Sequence, residues 1–294
     1  MDFLSQVING LHVGSIYALV ALGYNMVYGI VKLINFAHGD IIMVGAYAAF
    51  VTLMMAGLPL WVAVLISIAV CAIAGMTIER VAYRRLRNSG APRISLLITA
   101  IGVSMFLQNL FQLIFSSSGK SFPNAFQNIS PLIVGGKQIG FITLLTIGVT
   151  VLLMIGLQLL VNKTSIGEAM RAVSEDPGAA KLMGINTNFT IAFTFGLGSG
   201  LAAIGAVLYS TAYPLIDPYM GSMLGLKAFV AAVLGGIGSI PGAMLGGFVM
   251  GVAESLTKGY ISTQLADAVV FGILIIVLLV KPSGLLGKPM NEKV

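Results

Sequence analysis

Residues 162–186 read NKTSIGEAMRAVSEDPGAAKLMGIN, a charged island between two long apolar runs. Its polar residues fall where two short helices need them. Ser165 is placed to cap the first helix, and Glu168, three residues on, completes an S-x-x-E capping box. Ile166, Ala169, Met170 and Val173 then recur at i, i+3, i+4 and i+7, one apolar face, with Glu168, Arg171 and Glu175 turned away from it. Asp176-Pro177 opens a second helix, because Asp caps well and Pro is best tolerated at the first helical position. Gly184 ends that helix where a left-handed residue is needed. The spacing therefore predicts an amphipathic elbow outside the bilayer, and such an elbow suits docking by a soluble partner better than a plain solvated loop does.

The rest of the chain explains why an island is needed. Of its 294 residues 57% are hydrophobic and only 9% are charged, where a soluble domain carries about a quarter charged. Blocks of apolar residues, rather than alternating ten-residue segments, indicate a polytopic helical membrane protein and exclude a β-barrel. The formal charge of +6 does not point to nucleic acid. Lys and Arg gather at the ends of spans, and no basic stripe interleaves with aromatics. The single cysteine, Cys71, lies inside an apolar run, so neither a disulfide framework nor a zinc site is expected. The opening MDFLSQVING lacks a basic segment, so the first span is expected to insert and stay. Gly119-Lys120-Ser121 mimics the end of a phosphate loop, but Ile114 stands where that motif requires glycine.

In order, spans are expected at Leu11 to Ile30, Ile41 to Ala56 and Leu60 to Ile78, followed by a basic cytoplasmic loop from Glu79 to Arg87. Further spans are expected at Ile94 to Phe115, Gly140 to Val161 and Phe189 to Tyr209, with external segments at Ser116 to Lys137 and Tyr213 to Pro218. Leu224 to Ser255 is too long for one helix and breaks at Gly235 to Gly242. A hairpin of two short helices fits, with Lys227 and Lys258 together at its open end, before a last span from Asp267 to Val280. The expectation is about eight transmembrane helices in one permease domain covering 1–294, with a cytoplasmic loop at 163–187. All 16 basic residues but Lys120, Lys137, Lys227 and Lys258 then face the cytoplasm. That bias places the N-terminus outside and the C-terminus inside.

Three blocks together resemble the branched-chain amino-acid ABC transporter permeases: GSIYALVALGYNMVYGIVKLINFAHGDIIMVGAY (14–47), GEAMRAVSEDPGAAKLMGIN (167–186) and KAFVAAVLGGIGSIPGAMLGGFVMGVAES (227–255). The resemblance covers nearly the whole chain. It implies an ABC importer permease fold in a bacterial inner membrane. It also implies a second permease subunit, as a copy or a paralogue, two cytoplasmic ATPases, and an external solute-binding protein. ATP and magnesium would be held by the ATPases, and no cofactor or nucleic acid by this chain. In such permeases an EAA-like motif carries a helix that sits in a cleft of the ATPase. Glu168-Ala169, Pro177-Gly178 and Gly184 match it, with Met170 where the motif has alanine.

Within the apolar body, Asn35, His38, Gly39 and Asp40 interrupt two spans. They read either as a surface turn bent at Gly39 or as part of a translocation path, since ionisable groups inside a membrane are functional candidates. Gly236, Gly238 and Pro241 mark the break of the hairpin, and unwound backbone at that depth survives only when buried in protein or lining a cavity. Glu79 and Glu254, each after a glycine-containing apolar run, hint at an inverted repeat. The steps Gly196–Gly200 and Gly247–Gly251 are expected to pack helices. A rival reading is an ion-coupled secondary transporter using Asp40, Glu254 or Asp267; these acids fall near expected span ends without a paired cluster. An intramembrane enzyme would need a constellation of ligands or catalytic groups that no spacing supplies.

Overall fold

The computed structural model describes residues 3–32, 35–123, 131–134 and 137–287. The chain is an all-helical, multi-pass membrane protein. Among the described residues seven helical segments are long and apolar enough to cross a bilayer. In order the elements are α1 (Phe3–Val31), α2 (His38–Phe50) ending in a π turn (Val51–Met55), and α3 (Leu60–Ile78), which runs through a second π turn (Glu79–Tyr83) into α4 (Arg84–Asn88). Then come α5 (Arg93–Phe115), β1 (Lys120–Ser121), β2 (Leu132–Val134), β3 (Lys137–Ile139), α6 (Phe141–Lys163), α7 (Ser165–Glu175) and α8 (Pro177–Leu182). The chain closes with α9 (Thr187–Ala212), β4 (Leu215–Ile216), α10 (Met220–Gly235), α11 (Ile240–Tyr260) and α12 (Ala266–Val280).

Residue size decides which helices form the core. The central windows of α1 and α9 are 72% and 78% buried, those of α5 and α6 only 11% and 17%, so the first pair is enclosed and the second presents its apolar side chains outward. Enclosure rests on glycine. A Cβ on Gly14 would come within 2.7 Å of the Gly247 carbonyl oxygen, and one on Gly247 within 2.6 Å of the Ala18 nitrogen. Backbones that close need small residues on both sides. Gly196 and Gly200 similarly meet Met76 and Ile68 of α3, so both small-residue steps do pack helices.

Three expected boundaries are corrected. The first helix starts at Phe3 rather than Leu11. The basic loop after Ile78 is helical to Asn88. Glu79 is wholly buried and takes Arg84 at 2.8 Å and Arg87 at 2.9 Å, so the charges are satisfied within the helix and nothing forces the chain to unwind. The hairpin is present, but its second arm is a full 21-residue helix, about 31 Å long. The first arm has 16 residues. At the end opposite the elbow, β1 pairs antiparallel with β4, joining the two segments expected to be external. Gly135, Gly136, Lys288 and Lys293 lie outside the described residues.

Candidate coupling and translocation sites

The elbow forms as two capped helices, with its first cap one residue earlier than expected. Thr164, not Ser165, is extended (φ −111°, ψ 154°) and accepts the Gly167 N–H at 3.1 Å, while Ser165 is already helical. Thr164 also donates to the Leu160 carbonyl at 2.6 Å, and the Arg171 guanidinium donates to the Val161 carbonyl. Those carbonyls belong to the last turn of α6, which has no helical donors of its own. A Cβ on Gly167 would collide with the same two carbonyl oxygens. α7 is thus folded back tightly on the end of α6. Met170 and Val173 are fully buried, but the apolar face is turned from the expected one: Gly167 takes the inner place and Ile166 is 39% exposed.

Asp176 caps α8 as expected, accepting from Gly178 N–H at 2.7 Å and Ala179 N–H at 3.1 Å, with Pro177 in the first turn. Gly184 has φ +85°. Asn186, which the sequence reading passed over, caps α9 by accepting the Phe189 N–H at 3.1 Å. Glu168, Arg171 and Glu175 are exposed and Ala169 is half-buried. At the end of α8, Leu182 and Met183 stand 90% and 83% exposed, apolar side chains that no described residue covers.

The interrupted region before α2 is not a surface turn. Asn35, His38 and Asp40 are all buried. Asn35 Oδ1 accepts from Ala37 N–H at 3.1 Å and from Tyr83 OH at 2.8 Å. His38 meets the edge of Tyr24 at 4.5 Å between centroids. Gly39 lies against Gly221 and Gly225 of α10, backbone to backbone. Asp40 accepts from Gln108 Nε2 at 2.8 Å, and the same amide nitrogen reaches Ser222 Oγ at 3.0 Å. The starts of α2 and α10 and the polar side of α5 therefore share one polar junction, buried at Asp40 and open at Ser222.

The break between α10 and α11 is packed in protein at Gly235 and Gly236, while Gly238 is exposed. Gly236 (φ +107°) and Gly238 (φ +89°) adopt conformations that only glycine takes readily. Gly238 N–H donates to Asn25 Oδ1, and Asn25 Nδ2 donates to the Ser239 carbonyl at 2.6 Å. Leu285 and Leu286 donate backbone N–H groups to Leu234 and Gly235 carbonyls, both at 2.9 Å. Pro241 sits in the first turn of α11, capped by Ser239.

A fourth assembly was missed. Lys227 and Lys258 do meet at the open end of the hairpin, and both bind Glu254 Oε1, at 2.9 and 2.6 Å. Lys227 also binds Asp267 at 2.6 Å, and Tyr17 OH donates to Glu254 Oε2 at 2.7 Å. Two of the three acids expected to lack a paired cluster, Glu254 and Asp267, are thus clustered with cations, whereas Asp40 meets Gln108. The network borders a cavity of about 360 Å³ lined by Gln6, Asn9, His12, Tyr213, Glu254 and Lys258. Each charge was visible as an exception in an apolar run, and Glu254 and Lys258 are i, i+4; their meeting with Lys227 depends on the hairpin.

Residues 6–279 match the family model described as branched-chain amino acid transport system, permease component. The chain is 47% identical, over 99% of its own length and 98% of the relative's, to the high-affinity branched-chain amino acid transport system permease protein LivH of Salmonella typhimurium. It is 48% identical, with the same coverage, to the corresponding protein BraD of Pseudomonas aeruginosa. A probable branched-chain amino acid transport permease protein LivH of Methanocaldococcus jannaschii is 30% identical over 93% of this chain and 89% of the relative. The helical bundle, its elbow and its glycine-lined core are thus those of a member of the branched-chain amino acid transport system permease family.

Proposed function

We propose that the chain is the membrane-spanning permease subunit of an ATP-driven importer of branched-chain or similar amino acids. It sits in a bacterial inner membrane with its N-terminus outside and its C-terminus in the cytoplasm. A second permease subunit, two cytoplasmic ATPases holding ATP and magnesium, and an external solute-binding protein complete the machine. The observation that carries this reading is the 47% identity, end to end, with a protein named for that transport system. The elbow supports it from geometry. Ser165, Glu168, Ala169, Arg171, Glu175, Asp176, Pro177 and Gly184 lie on or shape a two-helix corner clamped to α6, with Leu182 and Met183 bare at the end of its second helix. A partner that binds this corner differently in its two nucleotide states can shift the bundle; one that binds it equally in both cannot. Asn35, His38 and Gly39, with Gly236, Gly238 and Pro241, are the residues we assign to the translocation path and its gate.

The Lys227–Glu254–Asp267 network, buried at Lys227 and Glu254, favours one other reading, ion-coupled secondary transport, because intramembrane charges mark ion pathways in such proteins. Sealed vesicles separate the two. Amino-acid uptake that stops without ATP and survives an uncoupler supports the importer; uptake that an uncoupler abolishes while ATP is present supports the rival. Within the importer, Glu168→Arg combined with Arg171→Glu leaves membrane insertion intact and abolishes ATPase copurification and uptake. Unchanged uptake in that variant would remove the elbow from the mechanism.

A further inference from the structure

Two sets of polar contacts, joined through the π turn of Glu79–Tyr83, run from the elbow to the buried start of α2. Arg87, near the end of α4, donates through one guanidinium nitrogen to Glu79 Oε1 at 2.9 Å and through the other to Asn188 Oδ1 at 2.8 Å. Asn188 lies in the first turn of α9, two residues beyond the Asn186 cap that closes the elbow. Glu79 opens the second π turn and Tyr83 ends it. Tyr83 is buried, its ring 5.5 Å from that of Phe195, and its hydroxyl holds Asn35 Oδ1 at 2.8 Å. Asn35 in turn holds the Ala37 N–H, immediately before α2. From elbow to link, the order is Asn188, Arg87, Glu79, Tyr83, Asn35.

The middle of this line is an element with two natural arrangements. A π turn carries one residue more than an α-helical turn and recurs at functional sites. Resorbing that residue rotates the flanking helix by about 100°, one residue's share of a 3.6-residue turn. Tyr83 could not then reach Asn35. The grip that fixes the arrangement comes from outside the helix, since Arg87 is shared between the π turn and α9.

We propose that the π turn of Glu79–Tyr83, held from the elbow by Arg87, carries the elbow's displacement to Asn35 and the buried start of α2. The proposal rests on the reading of the chain as an ATP-driven permease. Arg87 is a positioning residue: it touches no cargo and acts through Glu79 and Tyr83. Arg87→Met leaves Arg84 on the Glu79 carboxylate at 2.8 Å, so the buried charge keeps a partner and the helix its fold.

Two measurements test the link, one of them independent of transport. In the purified permease, hydrogen–deuterium exchange of peptides covering residues 35–42 is compared among wild type, Arg87→Met, Asn188→Ala and Tyr83→Phe. Faster exchange in all three variants is expected; unchanged exchange in Arg87→Met overturns the proposal. In proteoliposomes holding the complete transporter, Arg87→Met and Tyr83→Phe are expected to keep ATP hydrolysis while losing leucine uptake, so that the ATP spent per leucine rises. The double variant behaves like Arg87→Met alone, because the two act in one line, and Arg87→Lys recovers part of the loss. Parallel decline of hydrolysis and uptake, or effects that multiply, overturns the link. Wild-type vesicles that import leucine without ATP would overturn the functional reading instead, while the exchange result still decides the link.

Discussion

Glycine is the residue on which the packing turns. Where α1 and α11 cross, Gly14 and Gly247 leave no room for a Cβ on either helix. Gly14→Val is therefore expected to push α1 and α11 apart. Overpacking of this kind costs about 1–3 kcal/mol or more, and the melting temperature of the purified protein should fall, whereas Gly148→Val on α6, where added atoms meet nothing within 4 Å, should leave it unchanged. The charged residues at the open end of the hairpin make the opposite case. Glu254 is 2% exposed and answers two lysines. Glu254→Gln leaves Lys227 with Asp267 alone, so the loss should fall below about 3–5 kcal/mol, the cost of a buried pair broken to leave an unpaired charge. Glu254→Gln with Lys227→Met should recover part of that loss, measured as the unfolding midpoint in detergent; equal loss in the single and double variants would show that the network contributes no pairing energy.

At the scale of elements, the ends of helices separate what a sequence discloses from what it does not. Apolar blocks gave the spans, and Asp176, Pro177 and Gly184 gave the second elbow helix, because each of these is a local signal with a local cause. The first cap was displaced by one residue. Thr164 and Ser165 are both good caps by type, and only the tight return of Gly167 onto the α6 carbonyls selects Thr164. That difference is measurable. Thr164→Ala should cost about 1 kcal/mol of α7 stability and speed exchange of the Gly167 amide, while Ser165→Ala should do neither. The same return turns Ile166 outward and makes a four-residue apolar pattern misleading. Helix continuation past Ile78 was hidden for a different reason. Arg-rich sequence reads as loop, and what answers it is the buried Glu79 within the helix, together with Asn188 of α9, 101 residues from Arg87. Of the inner residues, Asn35, His38 and Asp40 could be picked out as misplaced polarity, but their partners Tyr83, Tyr24 and Gln108 could not, since no periodicity links them.

For the whole molecule, the direction of α6 relative to α1 fixes which features lie at which end. His12 Nδ1 meets Thr143 Oγ1 at 2.8 Å, and Thr150 Oγ1 donates to the Ser15 carbonyl at 3.2 Å. Contacts that advance together along both chains make the helices parallel. α6 has 23 residues, about 34 Å of helix, and delivers the elbow to the far end from the first turns of α1. Asn9 and Leu182 must then lie at opposite faces of a bilayer whose apolar core is about 30 Å thick. On the proposed orientation the elbow's face is cytoplasmic, a reading that the basic residues Arg80, Arg84, Arg85, Arg87, Arg171 and Lys181 support. The native thiol gives a quiet background because Cys71 is fully buried. Leu182→Cys, in a side chain 90% exposed, should react with a membrane-impermeant maleimide only in inside-out vesicles. Asn9→Cys should react only in right-side-out ones. Labelling of both from one face would contradict the parallel course of α1 and α6 across the membrane, and labelling of Leu182→Cys from outside alone would put the elbow beyond reach of any ATPase.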